Sequence, residues 1–130
     1  MKILITGSSG FIGFHLSKLL LEKGNSIYGV DSMNNYYDVN LKKARLDILK
    51  KYKKFNFSKA NLENSKRIKT IFNKVKPKVV IHLAAQAGVR YSIDKPKVYL
   101  KSNIDGTFNV IEASHEIKVK SLIIFPLLKT

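Results

Sequence analysis

Apolar positions in this chain fall into short continuous runs, separated by stretches where they recur every three or four residues. The runs at residues 3–6, 26–30, 55–57, 79–83 and 119–125 predict strands, the third of them weak. Between them, residues 11–23 carry Ile12, Leu16, Leu19 and Leu20 at helical spacing, and Gly24 is placed to end that helix. A polar, aromatic loop follows at 32–38. Residues 41–51 then form a second helical stripe through Leu41, Ala44, Ile48 and Leu49. Residues 65–75 predict a third helix, and residues 97–116 a long fourth one with Pro96 at its start. Strict alternation of strand and helix, with strands apolar on both faces, predicts a doubly wound α/β fold. Its sheet is parallel and covered on both sides, with right-handed crossovers.

Composition narrows the picture without changing it. At 130 residues, 45% hydrophobic and 25% charged, the chain is one ordinary globular domain. It has no cysteine, which excludes disulfides, thiolate metal sites and a cysteine nucleophile. No apolar run approaches the ~18 residues of a membrane span, and the N-terminus turns to Gly and Ser too soon for a signal peptide, so the cytoplasm is expected. The net charge of +15 invites a nucleic-acid reading. Only Arg45, Arg67 and Arg90 are arginines, however; the lysines scatter apart from a cluster at 50–54, and no aromatic stripe is interleaved with them. A solvated lysine-rich surface is the expectation, with no nucleic-acid partner.

The chemistry is concentrated between the first strand and first helix, in Thr6-Gly7-Ser8-Ser9-Gly10-Phe11-Ile12-Gly13. In that context Gly7 permits a tight turn, Gly10 lets backbone approach a pyrophosphate, and Gly13 lets the helix pack closely on the strand. The helix N-terminus offers N–H groups to phosphate. Glycines so spaced also occur in plain tight turns. Asp31 strengthens the dinucleotide reading: it ends the second strand, eighteen residues past Gly13, where a carboxylate hydrogen-bonds ribose hydroxyls. A turn-capping role is its alternative. A carboxylate there repels a 2′-phosphate, and Ser32 and Met33 bring no arginine, so NAD is expected over NADP. His82 reads as a satisfied core histidine, and no second histidine stands at ligand spacing, so no metal site is expected.

These motifs, with Asn35-Tyr36-Tyr37-Asp38, the segment 41–46, the segment His82 to Arg90, and Asn103 to Asn109, resemble the N-terminal part of an extended short-chain dehydrogenase/reductase. The resemblance is to the NAD-dependent nucleotide-sugar epimerase/dehydratase family, and within it to the UDP-glucuronate 4-epimerases of polysaccharide biosynthesis. It implies a Rossmann-type domain over 1–125, incomplete, with five strands present and the last strands and substrate domain missing, and an off-pattern tail at 126–130. It implies that Gly7, Gly10, Phe11, Ile12 and Gly13 surround the NAD pyrophosphate and that Asp31 holds the adenosine ribose. Asn61 and Leu62 stand beside the adenine, where the family usually has Asp-Leu. Leu83, Ala84, Ala85 and Gln86 wall the sugar-phosphate and nicotinamide half. Asn103 belongs near this wall or is a buried structural asparagine. Arg90 faces the UDP-sugar pocket or is a surface loop arginine. Intact relatives are expected to be homodimers.

The family's reaction needs a Ser/Thr after the fifth strand and a Tyr-x-x-x-Lys on the next helix. The sequence runs instead into Pro126 and ends at Thr130. Tyr91 and Lys95 have the right spacing but lie one strand too early and directly before Pro96. No catalytic residue is therefore expected here, and the expectation is a product truncated by frameshift or premature stop near codon 125, or a gene fragment, with strand five left as an apolar edge. The leading reading is an NAD-binding part of a UDP-sugar 4-epimerase, inactive alone. A stand-alone NAD-binding or regulatory module is the alternative, and a basic nucleic-acid-binding protein a weaker one.

Overall fold

The computed structural model describes residues 1–33, 39–84, 94–97 and 101–125, with only the backbone of 101 and 102. Among these residues five parallel strands form one sheet: β1 (Lys2–Thr6), β2 (Ser26–Asp31), β3 (Phe55–Lys59), β4 (Val79–His82) and β5 (Ser121–Ile124). Their order is β3-β2-β1-β4-β5. The chain thus builds outward from β1 on one side, then crosses back to lay β4 on the other. That reversal between β1 and β4 opens a crevice beyond their C-terminal ends, the place where doubly wound sheets bind ligands. Register is in step across it: Thr6 lies opposite Val30 on one side and His82 on the other.

Among the described residues four α-helices cover the sheet: α1 (Phe11–Glu22), α2 (Val39–Lys50), α3 (Ser65–Val75) and α4 (Gly106–Glu116). Successive side chains of a strand point to opposite faces. Ile3, Ile5, Ile27 and Ile81 accordingly share one core with Phe14 and Leu21 of α1 and Leu46 and Leu49 of α2. Leu4, Val30 and Val80 share the other with Ile68, Ile71 and Phe72 of α3 and Val110 and Ala113 of α4. Asn64 caps α3 by accepting the Arg67 N–H at 3.1 Å. Gly24, at φ +91°, follows the last turn of α1 as predicted.

Two predicted helix faces are corrected. On α1 the buried residues are Gly13, Phe14, Ser17 and Leu21, whereas Ile12 and Leu19 are about half exposed. The helix comes close to the glycine loop at Gly13, so its inner face mixes the small Gly13 and Ser17 with Phe14 and Leu21. On α2 the buried residues are Lys42, Leu46 and Leu49, while Leu41, Ala44 and Ile48 are exposed. A charged partner on β2 draws Lys42 inward and sets the rotation of the helix. The predicted long helix at 97–116 is also not uniform: residues Lys101–Asp105 form a π-helical turn before α4 begins. β5 begins two residues later than predicted and is an edge strand among the described residues, with Ile123 44% and Phe125 47% exposed. No helix among the described residues is long and apolar enough to cross a membrane.

Candidate functional site

The crevice is bounded on one side by the loop from β1 to α1. Gly7 has φ +75° and its N–H donates to Val30 O at 2.7 Å, so the chain turns sharply off β1 while staying tied to β2. A Cβ on Gly7 would lie 2.9 Å from Ala84 N, so the loop abuts the backbone that leaves β4. Gly13 serves the loop more than the strand: a Cβ there would overlap the Gly7 carbonyl oxygen and lie 2.7 Å from Gly7 C. Gly10 is the N-cap of α1, supplies no side-chain cap, and the first turn holds no acidic residue. The N–H groups of a helix's first turn carry the positive end of its dipole, which suits an anion. Phe11 is 65% exposed beside them.

Asp31 closes the second side. Its Oδ2 accepts the Ser9 N–H at 3.0 Å, and its Oδ1 accepts the Met33 N–H at 2.8 Å. These two bonds are those of the turn-capping reading of Asp31. Sequence reasoning missed its third partner. Lys42 of α2 places Nζ 3.2 Å from Asp31 Oδ1, both side chains being nearly buried. One turn later Arg45 donates to Ser9 O at 3.2 Å and lies over the Phe11 ring. Arg45 therefore braces the glycine loop directly, and Lys42, three residues earlier, does so through Asp31. The available signal was their spacing after Asp31.

The third side is the end of β4. Thr6 Oγ1 accepts N–H bonds from Leu83 at 3.0 Å and Ala84 at 3.1 Å, which occupy its lone pairs. Its own proton therefore goes to His82 Nδ1, 2.7 Å away. His82 then carries its ring proton on Nε2 and donates it to Thr107 Oγ1 of α4 at 2.9 Å. Burial holds this imidazole neutral, lowering its pKa to about 4. His82 is thus the satisfied core histidine the sequence suggested.

The remaining expected residues divide. Asn61 Oδ1 accepts the Glu63 N–H at 3.0 Å, turned toward its own loop, and the Leu62 side chain packs in the core. Ala60 N–H donates to Asp31 O, so the Asn61 turn does adjoin the Asp31 end of the crevice. Asn103 lies in the π-helical turn, a geometry frequent at functional sites. Ala85, Gln86 and Arg90 lie outside the described residues, as do Tyr36, Tyr37, Asp38, Tyr91 and the 126–130 tail. Among the described residues no group of three His, Asp or Glu side chains could hold a metal ion.

Comparison with known proteins agrees with this fold. The family described as GDP-mannose 4,6 dehydratase matches residues 4–126. Protein CapI of Staphylococcus aureus is 50% identical over 123 residues, covering 95% of this chain and 36% of that protein. A UDP-glucuronate 4-epimerase of Thermodesulfobacterium geofontis is 46% identical over 121 residues, covering 93% of this chain and 38% of its own. The chain thus spans a little over a third of the length of these relatives. The crystal structure of UDP-glucuronic acid 4-epimerase from Bacillus cereus, in complex with UDP-glucuronic acid and NAD, superposes with a TM-score of 0.85 at 33% identity, over 95% of this chain and 39% of that one. The chain belongs to the GDP-mannose 4,6 dehydratase family, among the nucleotide-sugar epimerases and dehydratases of the extended short-chain dehydrogenase/reductase type.

Proposed function

We propose that this chain is the NAD-binding part of a UDP-sugar 4-epimerase acting on UDP-glucuronate, and that these 130 residues bind cofactor without turning substrate over. One observation carries the reading: Asp31, held by the Ser9 and Met33 N–H groups, sits at the end of β2 beside an uncapped helix N-terminus. The residues present fit a dinucleotide. The Ser9 hydroxyl is buried with no hydrogen-bond partner among the described residues, and the turn at Gly7 leaves no room for a side chain. Gly7, Gly10, Phe11, Ile12 and Gly13 surround the pyrophosphate, and the first-turn N–H groups of α1 stabilise its charge. Asp31 accepts from the adenosine ribose hydroxyls. The Asn61 turn flanks the adenine, Leu83 to Gln86 and Asn103 line the other half, and Arg90 pairs with the sugar nucleotide.

When bound, NAD supplies a hydride acceptor for C4 of the sugar. The chain's own residues bind and orient it, and proton transfer at the C4 hydroxyl needs a base this segment does not provide. Its single Tyr-x-x-x-Lys, Tyr91 to Lys95, directly precedes Pro96. The named UDP-glucuronate 4-epimerase relatives support the choice of sugar. Calorimetric titration tests the reading: saturable NAD binding is expected, with Asp31→Ala weakening it by roughly 1–3 kcal/mol. An unchanged affinity in that variant would overturn the assignment of Asp31.

A further inference from the structure

We infer that His82 is a positioning residue, which holds the Leu83–Ala84 backbone and the start of α4 in the form that receives the half of a dinucleotide lying across β4. The inference rests on the crevice being a dinucleotide site. With Asp31 on β2 taking the adenosine half, a ligand spanning the point of strand reversal must lay its other half over the end of β4. What fixes that end is a directed chain of hydrogen bonds. The Leu83 and Ala84 N–H groups donate to Thr6, Thr6 to His82, and His82 to Thr107. Thr6 and His82 are also register partners across β1 and β4.

The direction matters. Thr6 can accept both N–H bonds only while its own proton has somewhere else to go, and His82 Nδ1 is that acceptor. The Leu83 N–H has a second acceptor in Thr6 O, whereas the hydroxyl is what holds Ala84. Ala84 N in turn lies 2.9 Å from where a Cβ on Gly7 would stand, so a small shift there changes how the end of β4 packs on the glycine loop. At the other end, Thr107 stands one turn beyond Asn103 of the π-helical turn. His82 itself is 2% exposed with both ring nitrogens engaged, so it acts through these neighbours rather than on a ligand.

The test compares NAD with ADP, which reaches only the Gly7 to Gly13 loop and Asp31. In the 130-residue chain, His82→Leu is expected to raise the Kd for NAD at least five-fold and leave that for ADP within two-fold. His82→Asn keeps an acceptor at the Nδ1 position, and it is expected to recover most of the NAD affinity. Equal loss for both ligands, or no loss of NAD affinity, would overturn the inference. If the unmodified chain takes up neither ligand, the dinucleotide reading fails separately. Amide hydrogen exchange then decides: faster exchange at Ala84 in His82→Leu, with Leu4 and Ile5 unchanged, supports the positioning role, and unchanged Ala84 exchange refutes it.

Discussion

The ammonium of Lys42 lies 3.2 Å from the carboxylate of Asp31, with 7% and 4% of their side chains exposed. A buried lysine on an amphipathic helix is unusual unless it is paired. Here the pair ties α2 to the end of β2 and neutralises the carboxylate that the ribose reading assigns to cofactor selection.

Removing one partner of a buried pair leaves the other charge uncompensated, at a cost of about 3–5 kcal/mol in the general case. Asp31 keeps two N–H donors, so Lys42→Met is expected at or below the low end of that range in urea unfolding. Asp31→Asn should have a second effect. It removes the charge that repels a 2′-phosphate while leaving Lys42 and Arg45 in place, so the preference for NAD over NADP is expected to narrow at least ten-fold in competition titrations. An unchanged preference would mean that Asp31 does not face the ribose.

Gly13 and Gly24 separate space from backbone conformation. By helix propensity Gly13→Ala would stabilise α1 by about 1 kcal/mol. The overlap with the Gly7 carbonyl outweighs this, and a net loss of roughly 2–4 kcal/mol is expected, with NAD binding lost as well. At Gly24 a Cβ would meet nothing within 4 Å, but φ is +91°. Gly24→Ala should therefore lose only about 1–2 kcal/mol and leave binding intact. Parallel denaturation and titration of the two variants check both statements.

Acid should unfold the chain partly through His82. Burial lowers its pKa from 6.5 to about 4, so between those values the unfolded chain binds more protons than the folded one. The contribution is fully present above pH 6.5 and is lost as pH falls toward 4, a total of about 3 kcal/mol. The unfolding free energy should therefore fall over that window, and the part of the slope due to this residue should vanish in His82→Asn.

The strands were legible because each is a short apolar run bounded by Gly, Pro or polar residues. The glycine loop and Asp31 were legible because their spacing has a mechanical meaning. The helix faces of α1 and α2 were not. Periodicity counts apolar residues, whereas the buried faces there use Gly13, Ser17 and Lys42, chosen for close approach and charge. Thr6, Thr107 and Arg45 escaped for a related reason. Each matters through a partner far along the chain, and only the parallel register of β1 with β4 brings Thr6 to His82.

The β5 edge carries a prediction of its own. It pairs with β4 on one side, and among the described residues nothing pairs with its other side; Ile123, Ile124 and the following Phe125 are substantially exposed. Such an edge templates self-association. Ile123→Lys is expected to reduce concentration-dependent light scattering of the 130-residue chain, without changing its thermal midpoint by more than a few degrees.

The most direct test is amide-resolved NMR titration of the chain with NAD. Saturable shifts concentrated on Gly7, Ser9, Gly10, Phe11, Asp31, Met33 and Ala84 are the expected result, because these surround the crevice at the strand reversal. Shifts confined to the lysines at 50–54, or no saturable shifts at all, would contradict the account.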